Sequence, residues 1–214
     1  MRTRIISVKL WKWFPSNDDL AKKIARLCIF REDLMFELHC EIESINVSVN
    51  DDYGSSWRQF YYFRKMFSTV TEIRRAIESL ANDRSFKYFL ANQSPGLQRE
   101  FKRLKKQLDS ERENMKTIRN EIAVHIEEHI VGEALQNMDA ERWGFLHISQ
   151  STPRKTHYKF AGELIMAIML RNTPNDKQLD RANEIVGILT NTTKSLFSII
   201  DWIFFNYSID RKLL

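Results

Sequence analysis

Apolar residues recur along this chain at helical spacing, in long runs separated by short polar breaks. Leu20, Ile24, Leu27, Leu34, Leu38 and Ile45 return every three, four or seven positions, which puts them on one side of a helix. The polar run Ser16-Asn17-Asp18-Asp19 supplies N-cap chemistry ahead of them, so the first long helix is predicted to run from there to about 47. A turn over 50–56 follows. Phe60, Phe63, Phe67, Val70, Ile73 and Ile77 then mark one face of a second helix over 56–80. A connector over 82–96 has room for a short helix over 86–90. A third long helix is expected over 97–131, with Gly132 placed to stop it.

The remainder is less regular. Residues 133–152 include Trp143-Gly144 and predict a short helix and a loop. Pro153 precedes a fourth helix over 156–170. The break Asn172-Thr173-Pro174-Asn175 leads to a fifth over 177–207. The lead-in over 1–15, with Trp11, Trp13 and Phe14, predicts a short strand or a packed arm. No repeat or flexible linker divides the chain, so the expectation is one all-α domain over 1–214, an up-and-down bundle of about five long helices.

Composition agrees with this architecture. Only six glycines and four prolines occur among 214 residues, and they sit between the periodic segments, which argues against sandwiches, barrels and doubly wound sheets. Cys28 and Cys40 fall on one predicted helix twelve positions apart. A rise of about 1.5 Å per residue separates them by about 18 Å, beyond disulfide reach, so they are expected as packed thiols in a reducing compartment. The first 14 residues hold no apolar run of signal-peptide length. The most apolar window, 195–209, is interrupted by Asp201 and Asn206 and is shorter than the ~20 residues a spanning helix needs. The expectation is a cytoplasmic protein with no membrane partner, and with 195–209 a buried or interface helix.

Lysine and arginine total 33 against 28 acids, a net charge of +5, which permits a polyanionic partner. There is no Gly-rich phosphate loop, no CxxC pair and no Gly-x-Ser-x-Gly elbow. P-loop nucleotide hydrolysis, dithiol redox chemistry and serine hydrolysis therefore have no support.

Chemistry concentrates in Arg119-Asn120-Glu121-Ile122-Ala123-Val124-His125. An arginine keeps its charge and can hold a phosphate, and a histidine moves protons near neutrality. On a helical wheel centred on Ile122, the residues Leu104, Leu108, Met115, Ile118 and Ile126 form the buried stripe. Arg119 and His125 border it at about 60° on opposite sides, while Asn120 and Glu127 point away. About 9 Å of helix axis separates Arg119 from His125, so two copies packed face to face would complete a composite cleft. Upstream, Arg99, Lys102, Arg103, Lys105 and Lys106 form a basic run suited to an RNA-binding groove.

The run Ile118-Arg119-Asn120-Glu121-Ile122-Ala123-Val124-His125-Ile126-Glu127 resembles the motif of the HEPN superfamily: an Arg and a polar residue, then a His, on a late helix of an all-α bundle. It looks most like the AbiU2-like, abortive-infection branch, in which an acid follows the His by two positions, here Glu127. The resemblance implies metal-independent endoribonuclease activity without a cofactor, a homodimer, and a place in phage defence or a toxin–antitoxin pair with an antitoxin protein as partner. It also implies that His125 is a general acid or base on the 2′-hydroxyl or the leaving oxygen. Arg119 would stabilise transition-state charge, Asn120 would orient the phosphate, and the products would carry a 2′,3′-cyclic phosphate and a 5′-hydroxyl.

Two other readings compete. His125-Ile126-Glu127-Glu128-His129 spells H-x-x-E-H, in which two histidines on adjacent turns share a zinc and Glu128 serves as base; the sequence shows no evident third ligand, and Glu163 or Glu184 would be arbitrary choices. His129 has a simpler account as a histidine at a helix C-terminus. The other alternative is a non-catalytic RNA-binding or protein-interaction module using the 60–67 aromatic cluster and the 195–205 stretch, although aromatic stripes at helical spacing favour core.

Overall fold

The computed structural model describes residues 8–47, 55–119, 127–138, 146–147, 157–158 and 160–213. Nine α-helices lie among them: α1 (Leu10–Trp13), α2 (Asp19–Val47), α3 (Ser55–Asn82), α4 (Arg84–Ala91), α5 (Pro95–Ser110), α6 (Arg112–Ile118), α7 (Glu128–Asn137), α8 (Phe160–Leu170) and α9 (Gln178–Asp210). A 3-10 turn over Asn175–Lys177 leads into α9. The only extended pairing among the described residues is β1 (Leu146–His147) against β2 (His157–Tyr158), with His147 opposite His157. The architecture is all-α.

Side-chain caps set several helix starts. Asp18 Oδ1 accepts the Ala21 N–H at 3.0 Å, at the site the polar run predicted. Asp83 caps α4 through the Phe86 N–H. Ser94 caps α5 through the Leu97 N–H, with Pro95 in the first turn, where its missing N–H costs nothing.

The expected count of about five long helices needs correction, chiefly over 97–131. That stretch is not one helix. Ser110 turns its hydroxyl back to donate to the Gln107 carbonyl at 2.8 Å, a local bond that competes with helix continuation. Glu111 then leaves helical geometry at φ −90, ψ 3, and α6 starts afresh. Glu127 is extended at φ −80, ψ 145 ahead of α7, so no unbroken helix reaches Val131. Gly132 stops nothing, since it lies inside α7 with open space where a Cβ would sit.

Long-range polar contacts fix the helix directions. Lys23 at the start of α2 pairs with Asp83 just beyond α3, while Thr69 within α3 donates to Glu37 further along α2 at 2.9 Å. The two helices are therefore antiparallel. α9 also runs antiparallel to α2, through Arg31 with Asp201 and Asp18 with Arg211. Gln107 donates to Thr192 at 3.3 Å, joining α5 to α9.

Between these four helices lies the apolar core. Ile24, Leu27 and Leu34 of α2 meet Phe67, Val70, Ile73 and Ile77 of α3. Leu97, Phe101, Leu104 and Leu108 of α5 and Leu196, Ile199, Ile200 and Ile203 of α9 join it, and Phe86 of α4, Met115 and Ile118 of α6 and Ile165 and Ile168 of α8 extend it. Each fully buried large side chain contributes about 1.5–3 kcal/mol. The described part of the lead-in, from residue 8, holds the short helix α1 and packs on α9: Trp13 stacks on Phe204 at 5.6 Å, and its carbonyl accepts the Tyr207 hydroxyl at 2.8 Å. Cys28 and Cys40 are free thiols on α2. No described helix is long and apolar enough to cross a membrane.

Candidate functional site

The site grows from two polar stripes at helical spacing. On α3, Thr71, Arg74, Arg75 and Glu78 share one face, beside the buried face of Val70, Ile73 and Ile77. On α6 and its C-cap, Arg112, Lys116 and Arg119 recur at intervals of four and three, next to buried Met115 and Ile118. The apolar faces pack into the core and draw the two stripes together. Between them lies a cleft of about 490 Å³ lined by all seven residues.

Five of the seven lining residues are cations, and Glu78 is the single acid. The acids nearby hold the cations in place without balancing them. Arg74 reaches Glu78 at 3.2 Å with its side chain only 12% exposed. Glu72, just behind the lining, takes Arg75 at 2.7 Å, Arg119 at 3.6 Å and Arg26 of α2 at 3.7 Å. Lys116 lies 3.9 Å from Glu113 on the open side. A concave surface with more guanidinium than carboxylate, walled by packed helices, concentrates positive potential and favours phosphate.

Arg119 is thus the motif residue that the structure brings to a cleft, and its side chain borders the core, as the wheel placed it. Asn120 and His125 lie outside the described residues. Leu104, Leu108, Met115 and Ile118 form the buried stripe as expected; Ile122 and Ile126 fall outside the described residues. Beyond Arg119, the wheel cannot be extended through Glu127, whose backbone is extended.

That same residue removes the premise of the inverted zincin reading. Two histidines four apart reach one metal from adjacent turns of a continuous helix, and an extended Glu127 lies between His125 and His129. His129 is the second residue of α7, at its N-terminal end instead of a C-terminus, exposed and 3.2 Å from Glu127. Among the described residues no group of three or more histidine, cysteine or acidic side chains is placed to hold a metal.

The basic run sits apart, on α5. Arg99, Lys102, Arg103 and Lys106 are exposed on the face opposite Leu97, Phe101, Leu104 and Leu108. Arg103 pairs with Glu100 at 2.6 Å, and Lys105, half-buried, with Asp109 at 2.7 Å. Arg99, Lys102 and Lys106 make no ion pair among the described residues.

Arg74, Arg75, Arg112 and Lys116 were not among the expected site residues. Their signal was present as two cationic stripes, but only the packing of α6 on α3 joins them. Another cavity, of about 820 Å³, lies between α7, α8 and the turn before α9. Arg171 there already contacts Glu133 at 3.2 Å and donates to the Ile168 carbonyl at 2.9 Å, and no other cation lines it among the described residues. It is a poorer match to phosphate than the α3–α6 cleft.

No protein-family model, curated protein or solved structure matches the chain.

Proposed function

We propose that this protein binds RNA through the α3–α6 cleft and acts as a HEPN-like, metal-independent endoribonuclease. One observation carries the reading: Arg119, the motif arginine, lines a cleft with Arg74, Arg75, Arg112 and Lys116. A phosphodiester seated there meets several fixed donors, and Arg119 offsets charge as the phosphorane-like transition state forms. His125 removes the 2′-hydroxyl proton, the 2′ oxygen attacks phosphorus, and the bond to the 5′ oxygen breaks as that oxygen takes a proton. The products are a 2′,3′-cyclic phosphate and a 5′-hydroxyl, and Asn120 orients the phosphate. Assembly as a homodimer and pairing with an antitoxin in phage defence belong to the same HEPN-like reading.

The deciding experiment is a ribonuclease assay in EDTA on structured and unstructured RNA, with wild type, Arg119→Ala and His125→Ala. Cleavage that survives EDTA, leaves cyclic-phosphate ends and vanishes in His125→Ala is the expected result. Arg119→Ala is expected to weaken binding as well as cleavage. Binding without cleavage by the wild type would move the reading to a non-catalytic RNA-binding module using the same cleft.

A further inference from the structure

A second groove, of about 270 Å³, lies between α5 and α9 and is lined by Glu100, Arg103, Leu104, Ser195, Ser198, Ile199 and Trp202. Its floor is apolar, since Leu104 and Ile199 are buried. Its walls carry two serine hydroxyls, the Trp202 indole and the Arg103 guanidinium, which Glu100 holds at 2.6 Å on the exposed rim. Trp202 is 46% exposed, although the turns on either side of it bury Ile199, Ile200 and Ile203 in the core. An indole left at the mouth of a groove presents a rigid, flat apolar surface at little conformational cost.

Charge identifies what lies on that surface. Arg103 belongs both to the groove and to the exposed stripe of Arg99, Lys102 and Lys106 along α5. A row of cations beside an aromatic platform is the arrangement that binds a single strand: phosphates follow the cations and an unstacked base lies on the ring. A base inside a duplex keeps its faces covered by its neighbours, so the ring has nothing to stack on there.

We infer that the α5–α9 groove is a single-strand subsite, in which Trp202 stacks one unpaired base while Arg99, Lys102, Arg103 and Lys106 track the flanking phosphates. Ser195 and Ser198 offer hydroxyls to the base edge or the ribose 2′-hydroxyl. This deepens the proposed function and rests on it: the RNA engaged is single-stranded where it crosses α9.

The test measures binding of a fluorescein-labelled unstructured RNA oligonucleotide, and of the same sequence closed into a blunt duplex. The 214-residue chain carries His125→Ala, so that cleavage does not intervene. Trp202→Leu is expected to weaken single-strand binding about ten-fold while leaving duplex binding unchanged, and Trp202→Phe to restore most of the loss. Arg103→Gln gives an independent reading should Trp202→Leu fail to fold, with a smaller loss on both RNAs. If the parent binds RNA and Trp202→Leu binds it equally well, the subsite is wrong and the α3–α6 reading stands. A parent that binds neither RNA takes the functional reading and this inference down together. Unchanged RNA affinity with a lower oligomeric state in Trp202→Leu would reassign the indole to a contact between copies, and overturns the inference.

Discussion

Arg119 and Glu72 meet at 3.6 Å across the contact between α6 and α3, and Glu72 holds Arg75 and Arg26 as well. One carboxylate thus gathers guanidinium groups from α2, α3 and the end of α6. It sits just behind a cleft in which Arg74 pairs with Glu78 and Lys116 lies near Glu113, while Arg112 makes no ion pair among the described residues. Glu72 therefore both braces Arg119 and competes with any phosphate that approaches it.

Replacing Glu72 separates those two effects. Glu72→Gln removes the charge that offsets Arg26, Arg75 and Arg119 while keeping nearly the same shape. The ion pairs are partly exposed, with side chains 23–51% accessible, so stability should fall by about 1 kcal/mol. RNA affinity should rise a few-fold, because a competing negative charge has gone. Urea unfolding and fluorescence anisotropy on the same samples check this. A fall in both quantities would mean that Glu72 matters to the cleft only by positioning Arg119.

Salt dependence tests the cleft without any catalysis. Each cation that neutralises a phosphate releases counterions, so removing one flattens the fall of affinity with salt. Arg112→Gln should lower the slope of log K against log salt by about 0.7 for a single-stranded RNA. Arg112 is exposed and makes no ion pair among the described residues, so the protein should keep its thermal midpoint. An unchanged slope would take Arg112 off the phosphate path.

How much of this was legible in the chain depends on the distance over which each feature is decided. The α2 and α3 faces were readable because Leu20 to Leu34 and Phe67 to Ile77 repeat within their own helices. Cap positions such as Asp18 were readable for the same reason. The break at Ser110–Glu111 was not, because Lys102 to Ile118 keeps helical apolar spacing and a single hydroxyl bond to the Gln107 carbonyl interrupts it. Of the site, Arg119 was legible from its motif. Its neighbours Arg74 and Arg75 lie more than forty positions away and join it only through the packing of α3 on α6.

Asp83 does two jobs at once, and both need its charge. It caps α4 through the Phe86 N–H at 3.0 Å and pairs with Lys23 of α2. The Lys23 hydrogen bond, then the Phe86 N–H, hold its carboxyl below the usual range. A lowered folded-state value means stability that is present above the unfolded value of about 3.9 and is lost as pH falls through the folded value. Asp83→Ala should cost about 1–2 kcal/mol at neutral pH. The gap to wild type should narrow on acidification below about pH 4. Thermal unfolding across pH measures it; a gap that is independent of pH would assign the cost to packing alone.

Glu37 has the opposite sign. Burial raises its carboxyl above the ordinary value, and the Thr69 hydroxyl, donating to Oε1 at 2.9 Å, recovers part of that. Lys65 lowers it further and Asp33 raises it. Its Oε2 is buried without a hydrogen bond among the described residues. A raised folded-state value gives stability that is fully present below the unfolded value of about 4.3 and is lost as pH rises through the folded value. At neutral pH the charge is thus a burden on the α2–α3 contact. Glu37→Gln keeps an acceptor for Thr69 and removes the charge. It should be more stable than wild type at pH 7–8, by about 1 kcal/mol, with the advantage shrinking as the pH is lowered toward about 4.3. Two unfolding curves that stay parallel across that range would show that Glu37 bears no charge penalty in the folded chain.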